Sequence, residues 1–134
     1  MIRITHVLFH FGIGGLENGL VNLINHLDAS TYRHSIVCLS GFDETYLGRI
    51  KTDNYDIVDL EKRPGNDPRT WIRFLKHLKT WKPDIVHTRN FASLEMQALA
   101  LVSGVKFRIH GEHGWDVQDP NGENRKYRIL RRLS

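Results

Sequence analysis

Five short apolar runs punctuate the chain, and the segments between them repeat apolar residues at helical spacing. The runs are IRITHVLFHF (2–11), RHSIVCLS (33–40), YDIVDL (55–60), PDIVHT (83–88) and VKFRIHGE (105–112). Their length and β-branched content predict strands. Leu16, Leu20, Ile24 and Leu27 share one stripe of a helix over 16–27, and Trp71, Phe74, Leu75 and Leu78 share one over 69–81. A shorter helix is predicted over 43–52 and a more uniformly apolar one over 92–103. Strand and helix in alternation mean parallel strands joined by right-handed crossovers. The predicted fold is therefore α/β: a doubly wound, Rossmann-like parallel sheet, ordered 3-2-1-4-5, with helices on both faces. Little polar alternation in the central runs agrees with strands covered on both sides. EKRPGNDP (61–68), with two prolines and Gly65, reads as a loop.

Composition narrows the class. At 134 residues, 40% hydrophobic and 25% charged, the chain has the size and make-up of one globular domain. A formal charge of +4 suits anionic ligands or a membrane surface but is too small to argue for nucleic acid. The lone cysteine, Cys38, sits in an apolar run and reads as a small buried hydrophobe. No signal sequence or membrane-spanning run is visible, so a cytoplasmic setting is expected. ENRKYRILRRLS reads as a helix without a stop signal, and a longer protein is expected on that ground.

The segment FHFGIGGLENGL (9–20) concentrates four glycines between the first strand and the first helix. Free amides at a helix start, together with the helix dipole, favour an anion. Gly14 and Gly15 remove the Cβ atoms that would hold a phosphate away from the backbone. The alternative is a plain turn that needs φ > 0. Two familiar phosphate loops do not fit: Leu16-Glu17 stands where a P-loop has Lys and Ser or Thr, and no acidic residue ends the second strand to hold a ribose.

GIGGLENGLVNLINHL, KPDIVHTRN and FRIHGEHGWD, in this order and spacing, resemble the glycine loop with first helix, the fourth strand and the fifth strand of family 4 glycosyltransferases of the GT-B fold. The likeness is nearest to sugar transferases associated with exopolysaccharide and PEP-CTERM (exosortase) clusters. The resemblance implies that residues 1–134 form the N-terminal, acceptor-side half of a retaining transferase, whose donor-binding half is absent from this sequence. It further implies a nucleotide-sugar donor, a glycan or lipid-linked acceptor in polysaccharide synthesis, and chemistry without a metal or other cofactor. His113 is expected beside the donor sugar as the catalytic histidine. Gly14 and Gly15 are expected at the donor diphosphate.

Other residues are placed at the cleft with competing readings. Glu17, at the first turn of the helix, either contacts ligand or simply suits the helix dipole. His87 and Asn90, in HTRN, are expected at the cleft edge, as acceptor contacts or as supporting and capping residues. Arg89 stands where the family often has another histidine. Trp115 is placed to stack on a sugar. His110 and His113 lie three apart on a strand, on opposite faces, and are not expected to chelate a metal together. His6, His26, His34 and His77 read as structural or surface residues. Tyr127, Leu130 and Leu133 line one face of a basic segment over 125–133, read as a peripheral contact with the inner face of the membrane, as a docking face for the missing domain, or as a solvated helix. Rival functions are a nucleotide-binding Rossmann module without transferase activity, NAD-type or regulatory, and half of a GT-B epimerase.

Overall fold

The computed structural model describes residues 1–112. They alternate as expected: β1 (Ile2–Leu8), α1 (Gly15–His26), β2 (Tyr32–Cys38), α2 (Glu44–Leu47), β3 (Tyr55–Asp59), α3 (Pro68–Trp81), β4 (Ile85–Arg89), α4 (Glu95–Val102) and β5 (Phe107–Gly111), with a 3-10 turn at Phe91–Ser93. The sheet is wholly parallel and ordered β3-β2-β1-β4-β5. His113, Trp115 and the basic segment 125–133 lie outside the described residues.

Local chemistry sets the element ends. The Asp67 carboxylate caps α3 by accepting from the Arg69 amide at 3.2 Å, Pro68 opens the helix, and Lys82 closes it at φ 52°. Asp43 caps α2 in the same way, from the Thr45 amide at 2.9 Å. That helix is a single turn ending at Gly48, shorter than the 43–52 expected. The expected first strand is also cut short. It ends at Leu8, and Phe11 joins the second layer through an isolated bridge to Phe42, with its ring edge-on to Tyr46 at 5.1 Å.

Two apolar layers sandwich the sheet. On one side Val7, Val37, Leu39 and Val86 pack with Phe74 and Leu78 of α3 and Met96 and Ala100 of α4. On the other, Leu8, Ile36 and Cys38 pack with Leu20, Val21 and Ile24 of α1 and with Tyr46 of α2. Cys38 is fully buried, and burial pushes its thiol up to about 12, so it behaves as the hydrophobe expected. The α3 stripe differs from the expectation. Thr70, Phe74, His77 and Leu78 face inward, while Trp71 is 37% exposed. Among the described residues, no helix is long and apolar enough to cross a membrane.

The central strands are less uniformly apolar in their burial than their pattern suggests. Thr5, His6, His34, Ser35, Thr88 and Arg89 are all buried. Buried polar groups need partners. Where those partners lie separates the two faces of the sheet.

Candidate functional site

Strand order reverses between β1 and β4, and in open α/β sheets the crevice beyond the carboxyl ends of such strands is where ligands bind. On one flank of it the glycine loop leaves β1. The loop is anchored at its start: the Phe11 amide donates to the Gly41 carbonyl at 3.3 Å, and the Asp43 amide donates to the Phe11 carbonyl at 2.8 Å. The Asp59 carboxylate secures the neighbouring turn by accepting from the Gly41 amide at 2.9 Å. His10 donates from Nδ1 to the Ser40 carbonyl at 2.9 Å.

The alternative reading of the loop, a turn that needs left-handed glycines, fails on its dihedrals. Among the described residues the glycines with positive φ are Gly41, Gly65 and Gly104, all outside this loop. Gly14 is extended at φ 175° and caps α1 without a side-chain hydrogen bond. A Cβ on Gly15 would meet nothing within 4 Å. Neither turn geometry nor packing explains that glycine. The Glu17 carboxylate folds back over Gly14, into the space a Cβ there would fill, so it lies at the positive end of α1.

The other flank is the end of β4. His87 is in the middle of this strand, paired in register with His6 of β1, not in the loop beyond it. Its ring lies 6.1 Å from that of His6, on the α1 side of the sheet. Only Asn90 follows the strand. It adopts φ 59°, ψ 167°, a region open to glycine and strained for other residues. The asparagine side chain does not cap the 3-10 turn. The conformation is held instead by its amide on the Gly111 carbonyl at 2.8 Å and by Ser93, whose hydroxyl donates to the Arg89 and Asn90 carbonyls.

Behind this flank runs a buried chain of three groups: His6 and His34, read from the sequence as structural or surface residues, and Arg89, to which the sequence assigned no role. Arg89, 4% exposed, donates from Nη1 to Nδ1 of His6 at 3.3 Å. A guanidinium only donates, so Nδ1 of His6 accepts and the ring proton sits on Nε2. That proton is donated to Nδ1 of His34 at 3.1 Å, and the two rings stack at 5.3 Å. Burial, then the Arg89 charge, holds His6 well below the ordinary histidine range, and burial lowers His34 as well. Both rings are neutral at pH 7. The sequence offers one signal, that His6 and His34 interrupt runs otherwise covered on both sides; their partnership appears only once β1 and β2 pair.

The opposite face carries a different network. Gln97 donates to the Thr88 hydroxyl at 2.7 Å, Thr88 then donates to Nδ1 of His110 at 2.8 Å, and His110 reaches Glu112 from Nε2 at 3.0 Å. His110 thus faces α4, away from the α1 side.

A doubly wound parallel sheet with a glycine-opened helix at its switch point defines a Rossmann-like ligand-binding domain. The chain belongs to Glycosyltransferase Family 4, whose profile matches residues 13–134. A sugar donor and an acceptor are accordingly its general substrates. No curated protein and no solved structure shows significant similarity to it.

Proposed function

We propose that the chain is the acceptor-side domain of a retaining glycosyltransferase of polysaccharide synthesis. It acts on a nucleotide-sugar donor and a glycan or lipid-linked acceptor, and the donor's nucleotide is held by a second Rossmann-like half. In this reading the loop amides at Gly14 and Gly15 approach the donor diphosphate, and Glu17, His87, Asn90 and Trp115 line the cleft. His113 stands beside the reacting sugar, where it orients the donor and stabilises the departing diphosphate. Chemistry of this kind needs positioned charge more than a strong base.

One observation carries the reading of the loop: Gly15 is free of any turn or packing requirement, and the space beside it is open. A glycine costs conformational entropy in a helix, and close approach of a ligand to the backbone accounts for it. The test is Gly15→Val in the full-length enzyme, assayed by nucleoside diphosphate release from a panel of nucleotide sugars. Screening one or two charge-assisted hydrogen bonds lowers kcat/KM for the donor by about tenfold or more. The melting temperature stays close to the parent's, because no neighbour is displaced. Unchanged kcat/KM in a folded variant overturns the loop's assignment, and failure of every donor overturns the transferase reading.

A further inference from the structure

Arg89 is the strongest feature that the transferase reading leaves without a task. Its guanidinium is buried at the carboxyl end of β4, one residue past the last β1–β4 pair, Val7 with Thr88. Among the described residues, those around it bring no compensating charge. His6, which accepts from Nη1, is neutral; His34 behind it is neutral; and among the described residues no acidic side chain pairs with Arg89. A buried cation without a counter-ion is among the costliest arrangements in a protein. Burial pushes this guanidinium down to about 10, and no carboxylate among the described residues acts to raise it.

Two further observations bear on where that anion comes from. The neighbouring backbone is strained: Asn90, directly after Arg89, holds φ 59°, ψ 167° through bonds to Gly111 and Ser93. Strain of this type persists where the surroundings over-determine a conformation, and it fixes the direction in which β4 ends. The location is the reversal of strand order, the part of an open α/β sheet that receives ligands. The His34–His6–Arg89 chain adds stiffness from below. With Nη1 committed to His6, the guanidinium plane is fixed by a neutral ring that withdraws none of its charge, leaving the planar, two-pronged donor geometry suited to an oxyanion.

We propose that Arg89 is an anion receptor, binding a phosphate group in the crevice between β1 and β4, with neutral His6 and His34 as positioning residues that hold its guanidinium from behind. The transferase reading enters only in what carries the phosphate, a donor diphosphate or a phosphorylated acceptor. Binding itself requires no turnover, so the two readings fail separately.

The test is a titration of the whole chain, labelled with 15N in histidine, with inorganic pyrophosphate, UDP and hexyl phosphate at fixed pH and ionic strength. Long-range 1H–15N spectra report each imidazole. An anion on Arg89 weakens its bond to His6, so the Nδ1 and Nε2 resonances of His6, and then Nδ1 of His34, shift saturably. His77, on the other face, stays still. Tighter binding of UDP assigns the phosphate to the donor, and tighter binding of hexyl phosphate assigns it to the acceptor. Arg89→Gln weakens binding by about tenfold or more, while Arg89→Lys keeps the charge and loses less. If Arg89→Gln does not fold, the wild-type titration decides alone. His6 resonances that ignore all three probes overturn the proposal and show that the charge is met within the chain. A saturable response undiminished in a folded Arg89→Gln overturns it equally.

Discussion

His77 and His6 are buried histidines on opposite faces of one sheet, and their partners make them different kinds of residue. His77 projects from α3, and the hydroxyls of Thr5 and Ser35 reach its Nε2 at 3.3 and 3.1 Å. Its ring stacks between Phe74 and Trp81, at 6.4 and 5.8 Å. Everything it needs lies within the fold. His6 is met by His34 on one nitrogen and on the other by a guanidinium that has no counter-ion among the described residues. One network closes on itself, and the other ends in a charge at the crevice that no described residue balances. Burial alone does not separate structural from functional histidines; the last member of the hydrogen-bond chain does.

The strongest way to probe this difference is pH. Burial lowers His77 from 6.5 to about 4. Between those values the unfolded chain binds more protons than the folded one, so stability rises with pH and is lost as pH falls from 6.5 towards 4. At about 1.4 kcal/mol per unit, the loss is on the order of 3 kcal/mol. Buried His6 and His34 add losses of the same sign, so the His77 share is measured as the difference between the parent and His77→Leu in urea unfolding at pH 7 and pH 4.5. His77→Leu should flatten the slope while leaving the His6 response to anions intact. A lost anion response in that variant would break the proposed separation of the faces.

A smaller effect sharpens the contrast at the crevice itself. His110→Ala leaves the Thr88 hydroxyl without its acceptor on the α4 side, and a loss of about 1–2 kcal/mol is expected in thermal unfolding. Turnover of the full-length enzyme should stay near the parent value. A large fall in turnover without a fall in stability would move His110 to the reacting side.

The smallest change expected is for Gly15→Ala. With no left-handed conformation to preserve and nothing within 4 Å of the new Cβ, stability should rise by about 0.4–1 kcal/mol. Calorimetry would show it, and lower stability would mean that the glycine serves the fold after all.

The architecture was legible because its signal is periodic. Apolar runs alternating with amphipathic segments specify a parallel doubly wound sheet, and β1 to β5 appear in the order expected. Ends were less legible because tertiary contacts set them: Phe11 extends the apolar run of β1 yet packs on Tyr46 beyond the strand. The loop at Gly14 and Gly15 could be read from local composition. The partnership of Arg89, His6 and His34 could not. It joins residues separated by 83 and 28 positions, and only strand pairing brings them together. His87 illustrates the same limit, since the motif HTRN places it near the crevice but the register seats it against His6.

Glu17 resting over Gly14 has a consequence for selectivity. A carboxylate held over the N-cap of its own helix places a negative charge beside the loop amides, tethered at an effective concentration that no dilute solute matches. Monovalent anions, each bringing one charge, gain little against its repulsion. A diphosphate brings more charge and more acceptor oxygens and draws more from the same amides and helix dipole. Entry to the loop is therefore conditional on the valence of what arrives.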